Sequence, residues 1–161
     1  EFLAEMERLH MIVDVSHLSD RGFWDIAEHS TRPFAASHSN CRALAPHCRN
    51  LTDEMIRVMA EKGGLVGLNY CSGFLDAQPR PELCRSTTAL MARHAAHFKQ
   101  VGGIEIIGLG SDFDGIGGKL EMGDCSKLPL LADALRKEGF TEDEVEQIFF
   151  RNAQRFFEEN L

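Results

Sequence analysis

The sequence predicts an α/β fold in which parallel strands alternate with crossover helices. Three observations predict it. Short apolar runs, rich in β-branched residues, occur four times, at 11–16, 32–37, 64–70 and 104–110, and stretches with helical spacing lie between and after them. The runs are apolar at successive rather than alternate positions, the pattern of strands covered on both faces. Polar residues gather where the runs end, the edge on which parallel α/β folds build their sites.

Composition sets the frame for these elements. The 161 residues are 43% hydrophobic and 26% charged, ordinary values for a soluble globular protein and a length that suits one domain, read as 1–161. Twenty-five acidic residues outnumber 17 basic ones, for a net charge of -8, so there is no basic footprint for nucleic acid. No apolar run approaches the roughly 20 residues of a membrane span. The five cysteines form no C-x-x-C pair and are odd in number, which predicts reduced thiols and a cytoplasmic setting. No signal peptide is visible; "EFLAEMERLH" reads as the middle of a helix without a starting Met, so a preceding segment is expected.

In chain order, "MIVDVS" is the first strand, and Phe23, Ile26 and Ala27 mark a helix over 20–30. "RPFAAS" is the second strand, followed by the long loop "HSNCRALAPHCRN". Thr52 caps the next helix, with Asp53 and Glu54 in its first turn and Met55, Val58 and Met59 facing inward. "GLVGLNY" is the third strand, "DAQPRPEL" a Pro-bearing loop, and 86–101 a helix ended by Gly102-Gly103. "IEIIGLG" is the fourth strand, and helices near 126–138 and 141–159 close the chain, the last opened by a Thr141/Glu144 capping box. Two architectures accommodate this order: an open doubly wound sheet, or part of a (β/α)8 barrel, which as a whole takes about 250 residues. The G-x-G-x-x-G fingerprint of dinucleotide folds is absent.

The strand ends carry the chemistry. They offer Asp14 and His17, then His38, then Asn69 and Tyr70, then Asp112 and Asp114. Two histidines and a carboxylate on one face suit a catalytic divalent metal, since neutral imidazole is a favoured zinc ligand and a carboxylate can bind metal or take a proton. Arg49, late in the long loop, can reach over such a site and bind a carboxylate bidentately. The plainer readings are that His17 caps a loop, that Asp112 and Asp114 shape the turn before Gly115, and that Arg49 is solvated. His94 and His97, three apart on a helix away from the strand ends, read as a partly exposed helix face, and Trp24 as helix packing.

"DVSHLSD", "ASHSNCRAL…CRNLTDEM", "GLVGLNY" and "GLGSDFDGI", in this order, resemble the C-terminal half of the membrane (renal-type) dipeptidases. The resemblance implies about four βα units of a (β/α)8 TIM-type barrel of the metallo-dependent hydrolase kind, with two zinc ions and dipeptide hydrolysis. Position by position, it implies His17 and His38 as ligands of the second zinc, Arg49 as the anchor of the dipeptide's free carboxylate, and Asp112 as the catalytic aspartate around the bridging water. Tyr70 is placed beside Arg49 in substrate binding. The family's first zinc uses a His-x-Asp motif, and a glutamate bridges both metals. None of the seven histidines here is followed two residues later by Asp. The expected partners are therefore a dipeptide, the missing N-terminal half of the barrel, and in some settings a second copy in a homodimer. The expected zinc site is at most partial, and the isolated chain close to inactive. Two alternatives remain: another metal-dependent amidohydrolase on the same barrel, and a non-catalytic half-barrel that binds a partner through its open face.

Overall fold

The computed structural model describes residues 1–161. Three parallel strands form one sheet in the order β1 (Ala35–Ala36), β2 (Leu65–Leu68), β3 (Ile107–Leu109). Register pairs Ala36 with Val66, and Val66 with Ile107. The expected first strand is reduced to one rung: Asp14 bridges Ala35 in parallel, and the amide of Val15 and the carbonyl of Val13 bond the two sides of Ala35. With a single neighbour to pair with, the run supplies two ladder bonds and no more.

The helices follow the predicted order. Helix α1 (Phe2–Arg8) precedes the first rung, and α2 (Asp20–His29) follows it, capped by the Ser19 hydroxyl. Helix α3 (Asp53–Glu61) begins at Thr52, whose hydroxyl accepts from the Met55 amide. It buries Met55 and Met59 as expected and Ile56 as well, while Val58 is only partly covered. A one-turn helix α4 (Ser72–Leu75) that the sequence pattern does not announce breaks the loop after β2. Helix α5 (Thr88–Gly102) starts two residues later than predicted, because Thr87 provides the cap, and it ends as Gly103 turns to φ +90°.

After β3 come α6 (Leu128–Glu138) and then α7 (Glu142–Glu146) and α8 (Asn152–Asn160), joined by a π-turn over Gln147–Arg151. The Thr141/Glu144 capping box forms in full. The π-turn interrupts what reads in sequence as one regular helix. It stands against β3 and delivers the side chain of Asn152, whose amide donates to the carbonyls of Ile104 and Ile107 at 2.7 and 2.9 Å. The Ile107 carbonyl belongs to a buried residue at the start of β3, where a backbone acceptor needs a partner, and the Ile104 carbonyl just before β3 also accepts the Ile107 amide at 3.3 Å.

The main core gathers Phe34, Leu68, Met91, Phe98, Ile107 and Leu131, all fully buried, between the sheet and α3, α5 and α6. No helix is long and apolar enough to cross a membrane. All five cysteines are free.

Candidate active site

Parallel alignment of the strands brings their C-terminal ends to one edge, and the loops leaving that edge carry the polar residues. His17 leaves the first rung and His38 leaves β1, one βα unit later. Their rings meet with Nε2 facing Nε2 at 2.9 Å and centroids 4.9 Å apart. Around His38 stand the charges of Asp112, Asp14 and Arg49. Burial holds the His38 imidazole below its ordinary range and Asp112 and Asp14 oppose that, whereas Arg49 and His17 add to it. A neutral ring with a free lone pair is the form that ligates metal.

Three outer residues hold His38 in place. Its Nδ1 lies 2.7 Å from Ser37 Oγ, which donates to Asp14 Oδ2 at 2.5 Å. Asp14 Oδ1 accepts from the amides of Ser37 and Ser16, each at 3.0 Å, and the His38 amide donates to Ser16 Oγ. Partial burial pushes the Asp14 carboxyl up, but the bonds from Ser37 and Ser16 outweigh it and hold the group below the ordinary carboxylate range. Close packing fixes Ser37 from below: a Cβ on either Gly67 or Gly110 would collide with its carbonyl oxygen.

Asp112 follows β3 with φ +64°, a conformation that costs a non-glycine residue energy and collects at functional sites. Asn69, fully buried, donates from Nδ2 to Asp112 Oδ2 at 3.0 Å and accepts the Cys71 amide at 2.6 Å. Asn40, also fully buried, clasps the Asn69 backbone from both sides. Gly115 donates its amide to the Asp112 carbonyl, so the expected turn exists, and Asp114 lies exposed at its tip.

Arg49 sits on a loop stitched to the body. Arg42 forms a bidentate pair with Asp20 at 2.7 Å per arm and donates to the Asn50 carbonyl, and Asn50 in turn donates to the carbonyls of Ala45 and Phe74. The Arg49 guanidinium lies over the Phe74 ring, donates from Nε to the Ser16 carbonyl at 2.7 Å, and leaves Nη2 buried without a partner. An arginine held by one donor has the others free for an anion.

Tyr70 is fully buried, edge-on to Phe113, with its hydroxyl unpartnered, and burial pushes that hydroxyl's pKa up. His94 departs from the partly exposed position expected of it. It is buried, accepts the Cys41 amide at Nδ1 and donates from Nε2 to the Leu75 carbonyl. His97 pairs instead with Asp53 at 2.7 Å. Trp24 is 40% exposed and touches Phe23 edge-on, less packed than expected.

The sequence profile of the membrane dipeptidases (peptidase family M19) matches residues 1–160. The chain belongs to the membrane dipeptidase family. Within it, the chain is 38% identical over 155 residues to an uncharacterised protein of Klebsiella pneumoniae, covering 96% of this chain and 57% of that one. It is 35% identical over 157 residues to an uncharacterised dipeptidase of Schizosaccharomyces pombe, covering 96% of this chain and 37% of that one. The chain thus spans between about a third and just over half of these relatives' length. Among solved structures, a metallopeptidase of Rhodobacter sphaeroides bound to a phosphinate mimic of the dipeptide L-Ala-D-Ala superposes with a TM-score of 0.92 at 34% identity, covering 99% of this chain and 45% of that one. The dipeptidase match assigns the three-strand parallel sheet to the partial-barrel architecture and removes the open doubly wound alternative.

The outer residues Ser37, Ser16, Asn40 and Asn69 are what sequence reasoning passed over or left without a role. Their signal is faint because short polar side chains beside a strand end are also what turns are made of.

Proposed function

We propose that this chain contributes the second-metal half of a dinuclear zinc dipeptidase site. The observation that carries the proposal is the 2.9 Å approach of His17 and His38 Nε2 at the strand ends. Two nitrogens sharing one zinc at about 2.0–2.1 Å each lie no more than about 4.2 Å apart, and this pair meets that bound. No group of three or more His, Cys, Asp or Glu side chains gathers around a common point. The pair therefore fits two of zinc's four positions and leaves the others to be filled.

Zinc bound there would polarise a carbonyl and lower the pKa of water. His17 and His38 would hold the cation through Nε2. Asp112, with Oδ2 engaged by Asn69, keeps Oδ1 for a proton taken from the attacking water and passed on to the leaving amine. Arg49 anchors the terminal carboxylate of the substrate, which restricts cleavage to very short peptides. Tyr70 bounds the substrate side of the site. The dipeptide mimic held by the Rhodobacter relative supports a dipeptide as the substrate class. These 161 residues contain no His-x-Asp, so full turnover requires first-metal ligands from the N-terminal half of a family barrel.

The test is zinc-dependent hydrolysis of dipeptides and of their C-terminal amides, by this chain alone and complemented by such a half. Complemented activity disappears in His17→Ala and His38→Ala, and Arg49→Ala depresses cleavage of free dipeptides by ten-fold or more while sparing the amides, consistent with about 1.5–3 kcal/mol for a charge-assisted contact. Turnover indifferent to His38→Ala would overturn the proposal.

A further inference from the structure

The hydrogen bonds around His38 bear on where its ring carries its proton. Ser37 has a single hydroxyl proton and three neighbours that could share it, Asp14 Oδ2 at 2.5 Å, His38 Nδ1 at 2.7 Å and, much farther, Ser16 Oγ at 3.4 Å. Asp14 is bonded as an acceptor on both oxygens, with Oδ1 taking the Ser37 and Ser16 amides. A carboxylate accepts and does not donate, so the hydroxyl proton goes to Asp14. Ser37 Oγ is then left only with lone pairs toward His38, and the short contact requires that Nδ1 carry the imidazole proton. Nε2 is thereby unprotonated, and it is Nε2 that faces His17.

We propose that Asp14 and Ser37 form a positioning relay that locks His38 in its Nδ1–H tautomer, and so sets the affinity of the His17–His38 pair for a divalent metal. This rests on the metal-site reading above. The relay is rigid by construction: Asp14 grips Ser37 at both its amide and its hydroxyl, and Ser37's carbonyl is wedged against Gly67 and Gly110. Without it, the ring would be free to place its proton on Nε2, where it blocks ligation, or to swing off the line to His17. Outer-shell partners of this kind fix the orientation of a ligating histidine and raise its basicity, and their loss typically weakens metal binding about 10–100-fold.

Two measurements test the relay. In the metal-free chain, ¹⁵N shifts of the imidazole nitrogens report where each proton sits: His38 reads as protonated at Nδ1, and Ser37→Ala gives a mixture of tautomers. Zinc affinity, measured by competition with a chromogenic chelator, falls about 10–100-fold in Ser37→Ala and falls in Asp14→Asn, while Ser37→Thr, which keeps the hydroxyl, restores it to within a few-fold. Urea midpoints separate these effects from unfolding, and Asp14→Asn stands in if Ser37→Ala does not fold. His38→Ala separates the two readings. If it leaves zinc affinity unchanged, the metal site itself is refuted. If it removes binding while Ser37→Ala changes neither affinity nor tautomer, the site stands and the relay falls. A wild-type His38 protonated at Nε2 overturns the relay whatever the zinc result.

Discussion

Asp112 is a carboxylate held where carboxylates rarely sit. Its φ of +64° is tolerated by Asp and Asn better than by other side-chain-bearing residues, because a short polar side chain can bond locally. The Asn69 amide fixes the rotamer and occupies Oδ2, and the Gly115 amide closes the turn beneath. Asparagine at position 112 keeps the backbone tolerance and an oxygen for Asn69 but cannot take a proton. Asp112→Asn therefore leaves the urea midpoint nearly unchanged and reduces complemented dipeptide turnover about 10²–10⁴-fold, the span of a lost general acid–base group. The candidate residues His17, His38 and Asp112 stand out in the sequence because each follows an apolar run, and Arg49 stands out as an arginine late in the long loop after the second run. Asn69 and Asn40 gain their meaning only when β1 and β2 become neighbours, and nothing in spacing along one chain encodes a contact 29 residues apart.

At the scale of elements, two features join the strands and loops around the site. The glycines are one. Gly67 in β2 and Gly110 just after β3 have no room for a Cβ because the Ser37 carbonyl oxygen would collide with it at either position. Gly67→Ala is expected to cost about 1–3 kcal/mol, the usual range for overpacking, read as a lower urea midpoint. His94 on α5 is the other. It ties the start of the Arg49 loop at Cys41 to the end of α4 at Leu75. Burial above all holds its pKa down to about 4 from the ordinary 6.5, His97 and Arg93 adding to the effect while the bond to the Leu75 carbonyl resists it. The unfolded chain thus binds this proton at a higher pH than the folded one. Stability from His94 is complete above about pH 6.5 and is lost as pH falls toward 4, at up to about 1.4 kcal/mol per pH unit and about 3 kcal/mol in all. Urea denaturation across that window shows the slope, and His94→Gln flattens it even though the variant starts from a lower stability. Helical periodicity placed His94 on α5 without saying which face the loop after β1 would cover, so its burial was not legible. The π-turn before Asn152 escaped for a related reason: the residues "QIFFR" read as regular helix, and the contact it serves, Asn152 donating to the carbonyls of Ile104 and Ile107, lies 45 and more residues away along the chain.

At the scale of the whole molecule, the parallel sense and the placement of polar residues at one edge followed from the rhythm of runs and helices, but the choice between a doubly wound sheet and a partial barrel, and the length of the first strand, did not. A strand's extent depends on what lies on both of its sides, and the 11–16 run pairs on one side only, through Asp14. The same consideration bears on the metal pair. His17 follows that lightly paired rung and His38 follows β1, so a cation held by both would tie the first rung to the sheet more firmly than its two backbone bonds do. A ligand that binds the folded state and not the unfolded one stabilises it by RT ln(1 + [L]/Kd), about 2.7 kcal/mol at a hundred-fold excess over Kd. Zinc added to the chain should therefore raise the urea midpoint with a logarithmic dependence on concentration. Hydrogen exchange should slow most at the amides of Val15 and Ala35, the donors of the first rung. His38→Ala should remove both effects, and a chelator should reverse them in the unmodified chain. A midpoint that does not move with zinc, in a chain whose His38 is intact, would show that the two imidazoles alone do not recruit the metal.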